Sequence, residues 1–229
     1  MSPRVLLAAL VCAGLCSAAA LPSSGVQAQV YAQSQPQMRP TLSRLVRLAA
    51  TPAGPGCIGN VYCLLLQDLP AAQLDDPSAS GLWVKGNYRA QLEVWWSRDG
   101  RGLMLLDWDY RANVLGCGDW PCGTSDLYVH RYVSGQVRDE KFWRIGVPYR
   151  GQPWTEVKPG LPAAVRADAS VRVQAFRQAS GVQGELWLDV QLPEQGTELR
   201  VFVEADGARV PIYRLRWDAV RGVFVPARL

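Results

Sequence analysis

The sequence predicts an all-β protein, either an antiparallel β-sandwich or two associated β units, with one short N-terminal helix. Three observations carry this. From Val61 onward, short runs rich in Val, Leu, Trp and Tyr are separated by Gly, Asp, Ser and Pro at roughly ten-residue intervals. Between runs, Ser97-Arg-Asp-Gly-Arg-Gly102, Ser134-Gly135 and Asp206-Gly207 supply glycines for the positive φ of hairpin turns. A period of two then sorts the side chains into faces: Leu186, Leu188, Val190 and Leu192 oppose Glu185, Trp187, Asp189 and Gln191. Likewise Leu199, Val201 and Val203 oppose Arg200, Phe202 and Glu204, and Tyr213, Leu215 and Trp217 oppose Arg214 and Arg216. One buried face and one wet face is what an antiparallel sheet in a sandwich requires.

In chain order, Arg4, an apolar run from Val5 to Cys16 and the small residues Ser17-Ala18-Ala19-Ala20 predict an export signal, residues 1–20, cleaved after Ala20. The apolar run is too short to cross a bilayer as a helix, which needs about 20 residues. Residues 21–56 form a lead that is first rich in Gln, Ser, Pro and Ala, a composition too poor in bulky apolar groups to offset the entropy of ordering. Its later part, residues 41–50, places Leu42, Leu45, Val46 and Ala49 at helical spacing behind Thr41, a capping residue. Pro52 and Ala53-Gly-Pro-Gly56 end that helix.

Strands are predicted near residues 61–66, 82–89, 92–97, 103–110, 127–133, 141–147, 170–177, 185–192, 199–205, 210–217 and 223–227. The prolines and glycines of residues 148–162 suggest a division between a disulfide-bonded β unit, residues 57–160, and a C-terminal sandwich-like unit, residues 161–229. Two tightly associated units and one continuous sandwich fit the spacing equally.

Cleavage would remove Cys12 and Cys16 and leave Cys57, Cys63, Cys117 and Cys122, an even set that predicts two disulfides in an oxidising compartment. Local clips, Cys57 with Cys63 and Cys117 with Cys122, follow from proximity along the chain. Each is worth about 2 to 3 kcal/mol by loop-closure entropy, against about 4 for a tie between the two loops, so energetics alone does not choose. The spacings and the single histidine, His130, are not those of a zinc site, and Cys117-Gly-Asp-Trp-Pro-Cys122 is too long for a thioredoxin-like motif. No metal or nucleotide cofactor is expected, since no glycine-rich loop follows a strand and opens a helix.

A net charge of +4 over 229 residues disfavours nucleic acid as the partner. The predicted product is a secreted or periplasmic protein without a stable membrane span.

Three groups of residues are candidates for chemistry. Asp107 and Asp109 share a strand face and, with Glu93, could divide acid and base work in a hydrolase; the apolar set Met104, Leu106, Trp108 and Tyr110 makes solvated acids the plainer reading. Tyr128, His130 and Tyr132 share another strand face, as a shallow polar site or an aromatic cross-strand ladder. Nine tryptophans are the clearest departure from ordinary composition. Trp108, Trp143 and Trp217 fall in register with apolar residues and read as core, whereas Trp120, Trp154 and Trp187 do not. Trp120, beside Asp119 on a constrained loop, suits stacking on a sugar or anchoring a protein. The favoured function is a non-catalytic binding or envelope-associated module that contacts glycan or protein through Trp120 and Asp119, supported by Tyr128 and Tyr132. The alternatives are the hydrolase and a purely structural or inhibitory envelope protein.

Overall fold

The computed structural model describes residues 39–50, 60–75, 82–85, 88–112, 122–193 and 196–229, with backbone alone in 82–85, 88, 110–112 and 122–125. The predicted signal, most of the lead, Cys57, Cys117, Asp119 and Trp120 lie outside the described residues. Residues 37–229 belong to one compact unit. Among the described residues no helix is long and apolar enough to cross a membrane.

The fold is mostly β, as the alternation predicts. Five strands form an antiparallel meander: β1 (Leu82–Lys85), β2 (Tyr88–Trp96), β3 (Gly102–Ala112), β4 (Cys122–Val133) and β5 (Gln136–Asp139). A second meander has four: β6 (Trp187–Gln191), β7 (Leu199–Ala205), β8 (Ala208–Asp218) and β9 (Val223–Ala227). The expected hairpins join β2 to β3, β4 to β5 and β7 to β8. In the last two, Ser134 and Gly135 (φ 49° and 85°) and Asp206 and Gly207 (φ 52° and 77°) both turn left-handed, which matches strand twist.

The short N-terminal helix is α1 (Leu42–Ala50), which buries Leu45, Val46 and Ala49 as its spacing requires. Three predicted strands are helical instead. Residues 61–66 lie in α2 (Val61–Asp68), because Asn60 caps it by accepting a hydrogen bond from the Cys63 amide at 3.0 Å. Its apolar run then buries Tyr62, Leu65 and, past its end, Leu69, a helical spacing that a continuous apolar run conceals. A further turn, α3 (Ala71–Leu74), follows. Residues 141–147 contain α4 (Phe142–Ile145), which ends at Gly146 with φ 73°. A Cβ at Gly146 would run into the Phe224 carbonyl, so the chain turns where only glycine fits. Residues 170–177 belong to α6 (Ala163–Ser180), bounded by Pro162 and by Gly181 in the left-handed region. Val165, Ala169 and Val173 are its buried stripe. Between them, the proline-rich stretch holds α5 (Trp154–Val157) and a 3₁₀ turn over Lys158–Gly160.

Two hydrophobic clusters sandwich the first sheet. On one face Ala90, Leu92, Met104, Leu106 and Trp108 pack with Leu45, Val46, Tyr62 and Leu65 of α1 and α2. On the other, Trp95, Leu103, Leu105, Leu127 and Val129 join the apolar face of the second sheet and the buried stripe of α6. Side chains also tie the sheets to each other's backbone. Trp217 Nε1 donates to the Trp96 carbonyl, Trp95 Nε1 to Thr197 and Gln91 Nε2 to Pro193, at 3.0, 3.0 and 2.7 Å. Trp154, which the sequence pattern leaves unplaced, is buried in the shared cluster, whereas Trp143, which reads as core, is 75% exposed. The helical turn of α4 breaks the alternation that would have turned that indole inward.

Candidate functional site

The wet face of the second sheet borders a polar groove of about 410 Å³, lined from the first sheet by Arg89, Gln91, Asp107 and Asp109. At its centre is Arg150. The chain reaches it through a segment that runs alongside β6, where Gly151 N–H donates to the Leu188 carbonyl and Leu188 N–H to the Gln152 carbonyl, at 2.8 and 2.9 Å. Gly151, at φ 77°, makes the turn. The guanidinium donates to Asp189 Oδ1 at 2.7 Å, Asp107 Oδ1 at 3.0 Å and the Val190 carbonyl at 3.1 Å. Burial works against its charge, but the two carboxylates outweigh burial and hold its pKa above the ordinary value. Arg209 takes the other oxygen of Asp189 at 3.2 Å and lies over the Phe202 ring, 4.8 Å from its centre.

Glu204 stands across the strand pair from Arg209 and also lines the groove. Burial, then the neighbouring Asp189 charge, raise its pKa despite Arg150 and Arg209. Next to it in register, on β6, is Trp187, 45% exposed and on the same sheet face as Asp189. The site therefore combines carboxylates pinned as acceptors, guanidinium donors and an adjacent open indole.

The three predicted acids separate. Asp107 lies in the groove in its ion pair with Arg150, and Asp109 lines the groove opposite Arg89 in the β2–β3 register. Glu93 does not line it; burial raises its carboxyl pKa, opposed by a hydrogen bond from Gln91. The Tyr128–His130–Tyr132 trio points toward the helices. Tyr128 and Tyr132 are half-buried against that cluster, with Tyr132 edge-on to Trp96 at 5.8 Å. His130 sits between the Tyr62 hydroxyl, 3.0 Å from Nδ1, and Asp139, 2.9 Å from Nε2. Burial keeps its pKa below the usual histidine value, with Asp139 opposing.

Of the four cysteines predicted to pair, Cys63 has its side chain described, on α2. Among the described residues no three His, Cys, Asp or Glu side chains are grouped to hold a metal. Arg150 and Arg209 escape the sequence reading because what joins them to Asp107 and Asp189 is tertiary, across 43 and 20 positions. The one local signal is the polar set of β6, which marks Asp189 and Trp187 as wet. No protein-family model, no curated protein and no solved structure matches the chain.

Proposed function

We propose that the protein is an exported, non-catalytic binding module that holds a glycan on the wet face of its second sheet. The observation that carries this reading is the open Trp187 indole in register with Glu204, at a groove whose carboxylates are fixed by arginines. An indole covers the apolar face of a sugar ring at low entropic cost, and oriented carboxylates and guanidinium groups match ring hydroxyls as acceptors and donors. The hydrolase alternative needs one carboxyl that gives up a proton and one that takes it, both at the reacting bond. Asp107 is instead engaged with a permanent cation, Asp109 stands opposite Arg89 in register, and Glu93 does not line the groove. The export-signal pattern of residues 1–20 and the even set Cys57, Cys63, Cys117 and Cys122 left after cleavage support export into an oxidising compartment. Asp119 and Trp120 are proposed as further loop contacts.

A glycan array probed with wild type, Trp187→Ala and Trp143→Ala tests the reading. The expected result is retention by wild type and by Trp143→Ala, with loss in Trp187→Ala. Equal retention by all three would remove the second sheet from the binding surface.

A further inference from the structure

The wet face of the second sheet carries a second depression, about 880 Å³, that shares Gln191 with the groove around Arg150. Leu192, Pro193 and Pro211 line it with the charged Arg200, Arg214 and Glu198. These two arginines are direct register partners on β7 and β8, and Arg200 also pairs with Gln191 of β6. Like charges placed opposite each other repel, so such a pair calls for a counter-anion. Glu198 supplies one, but it is shared: Arg214 holds one oxygen at 2.9 Å and Arg216 the other at 2.7 Å.

Two donors are left over. Among the described residues the exposed Arg200 has no carboxylate partner, and the buried Nε of Arg214 has no hydrogen-bond acceptor. An oxyanion seated in the depression would pair with Arg200 and relieve the charge repulsion between the two arginines.

Position adds the ligand class. Gln191 lies four residues along β6 from Trp187 on the same face, about 13 Å at a strand rise of about 3.3 Å per residue. A stacking platform and an anion seat at that separation, joined by a polar bed, suit an elongated ligand that has both rings and carboxylates. We infer that the wet face takes a uronic-acid glycan, one sugar ring on Trp187 and one carboxylate between Arg200 and Arg214. This rests on the glycan reading above and names the sugar class.

The test measures binding of the full chain to oligogalacturonate and alginate oligomers, each against its methyl ester, which keeps the rings and removes the charge. Inorganic phosphate serves as a separate probe. The acid form is expected to bind at least about 10-fold more tightly than the ester, as loss of a charge-assisted pair implies. Arg200→Gln should bring the two forms within about 2-fold, while Trp187→Ala should weaken both. Equal affinity for acid and ester would overturn the anion seat and leave glycan binding standing. Retention of neither form would overturn the uronic-acid class, leaving the glycan reading to the array. Phosphate bound as tightly as the oligomers would overturn the glycan in favour of a free oxyanion.

Discussion

The two sheets share a period of two and differ in how many faces they cover. In β3, Leu103, Met104, Leu105 and Leu106 are all fully buried, because helices cover one side and the second sheet the other. In β6, Leu188 and Val190 are equally buried, yet Trp187 is open and Asp189 is held by two arginines. The first sheet behaves as the middle of a layered core, and its interior polar residues, Gln91 and Asp107 among them, are tied by hydrogen bonds to the neighbouring layer. The second is half solvent-facing, and that face collects the unpaired chemistry. In β3 and β6 the strand sequence reports the number of covered faces: a continuous apolar run means two, alternation means one.

The largest effects should come from breaking the symmetry of β3. Leu105→Ala and Leu106→Ala, on opposite faces, should each cost about 2 to 5 kcal/mol in denaturant unfolding, because each leaves a cavity in a fully buried cluster. A cost for one and not the other would mean that one cover is loose. Arg150→Met should cost about 3 kcal/mol by the same measurement, since it takes the guanidinium from Asp107 and the Val190 carbonyl and leaves Arg209 to hold Asp189. Combining it with Asp189→Asn should recover part of that loss. Gly146→Ala should cost about 1 to 3 kcal/mol, through both its left-handed φ and the clash with the Phe224 carbonyl.

Acid titration sharpens the contrast at the helical cover. Asp75 accepts hydrogen bonds from the Ser43 amide and hydroxyl at 2.7 and 2.6 Å, at the start of α1. Burial pulls its pKa up, but these bonds outweigh it and leave the pKa below the ordinary carboxylate value. Its stabilisation is therefore fully present above the unfolded-state pKa of about 3.9 and is lost as pH falls through the lower folded value. Asp75→Asn should flatten that acid limb, read as the midpoint of thermal unfolding against pH. The smallest effect belongs to the wet face: Trp187→Ala should change stability by no more than about 0.5 kcal/mol. A larger loss would make that indole part of the core.

The strands of the second sheet and the three hairpins were readable because their signals are local: alternation and positive-φ glycines. The helices are concealed where the deciding residue stands outside the run. Asn60 converts Val61–Leu66 into a capped helix, and Pro162 with Gly181 frames the helix that contains residues 170–177. Alternation of apolar residues in 141–147 is real, but Gly146 turns the chain out of it. The strand β5 was missed because Gln136–Asp139 carries one apolar residue and is held by pairing with β4 alone. Of the site, Asp107, Asp109 and the polarity of Trp187 and Asp189 were visible. Arg150 was not, since its role depends on a turn that brings it across to β3 and β6.

The ties from Trp217 to the Trp96 carbonyl and from Trp95 to Thr197 span 121 and 102 positions. Contacts so far apart in sequence demand closure of large loops before any reward is gained, which places acquisition of the native state among the slower processes for a chain of this size. An emerging polypeptide would leave the Trp96 carbonyl without its indole donor until β8 had been synthesised. Maturation is thus a late, whole-chain event, and a fragment cut between the sheets would inherit bare backbone acceptors and exposed apolar surface.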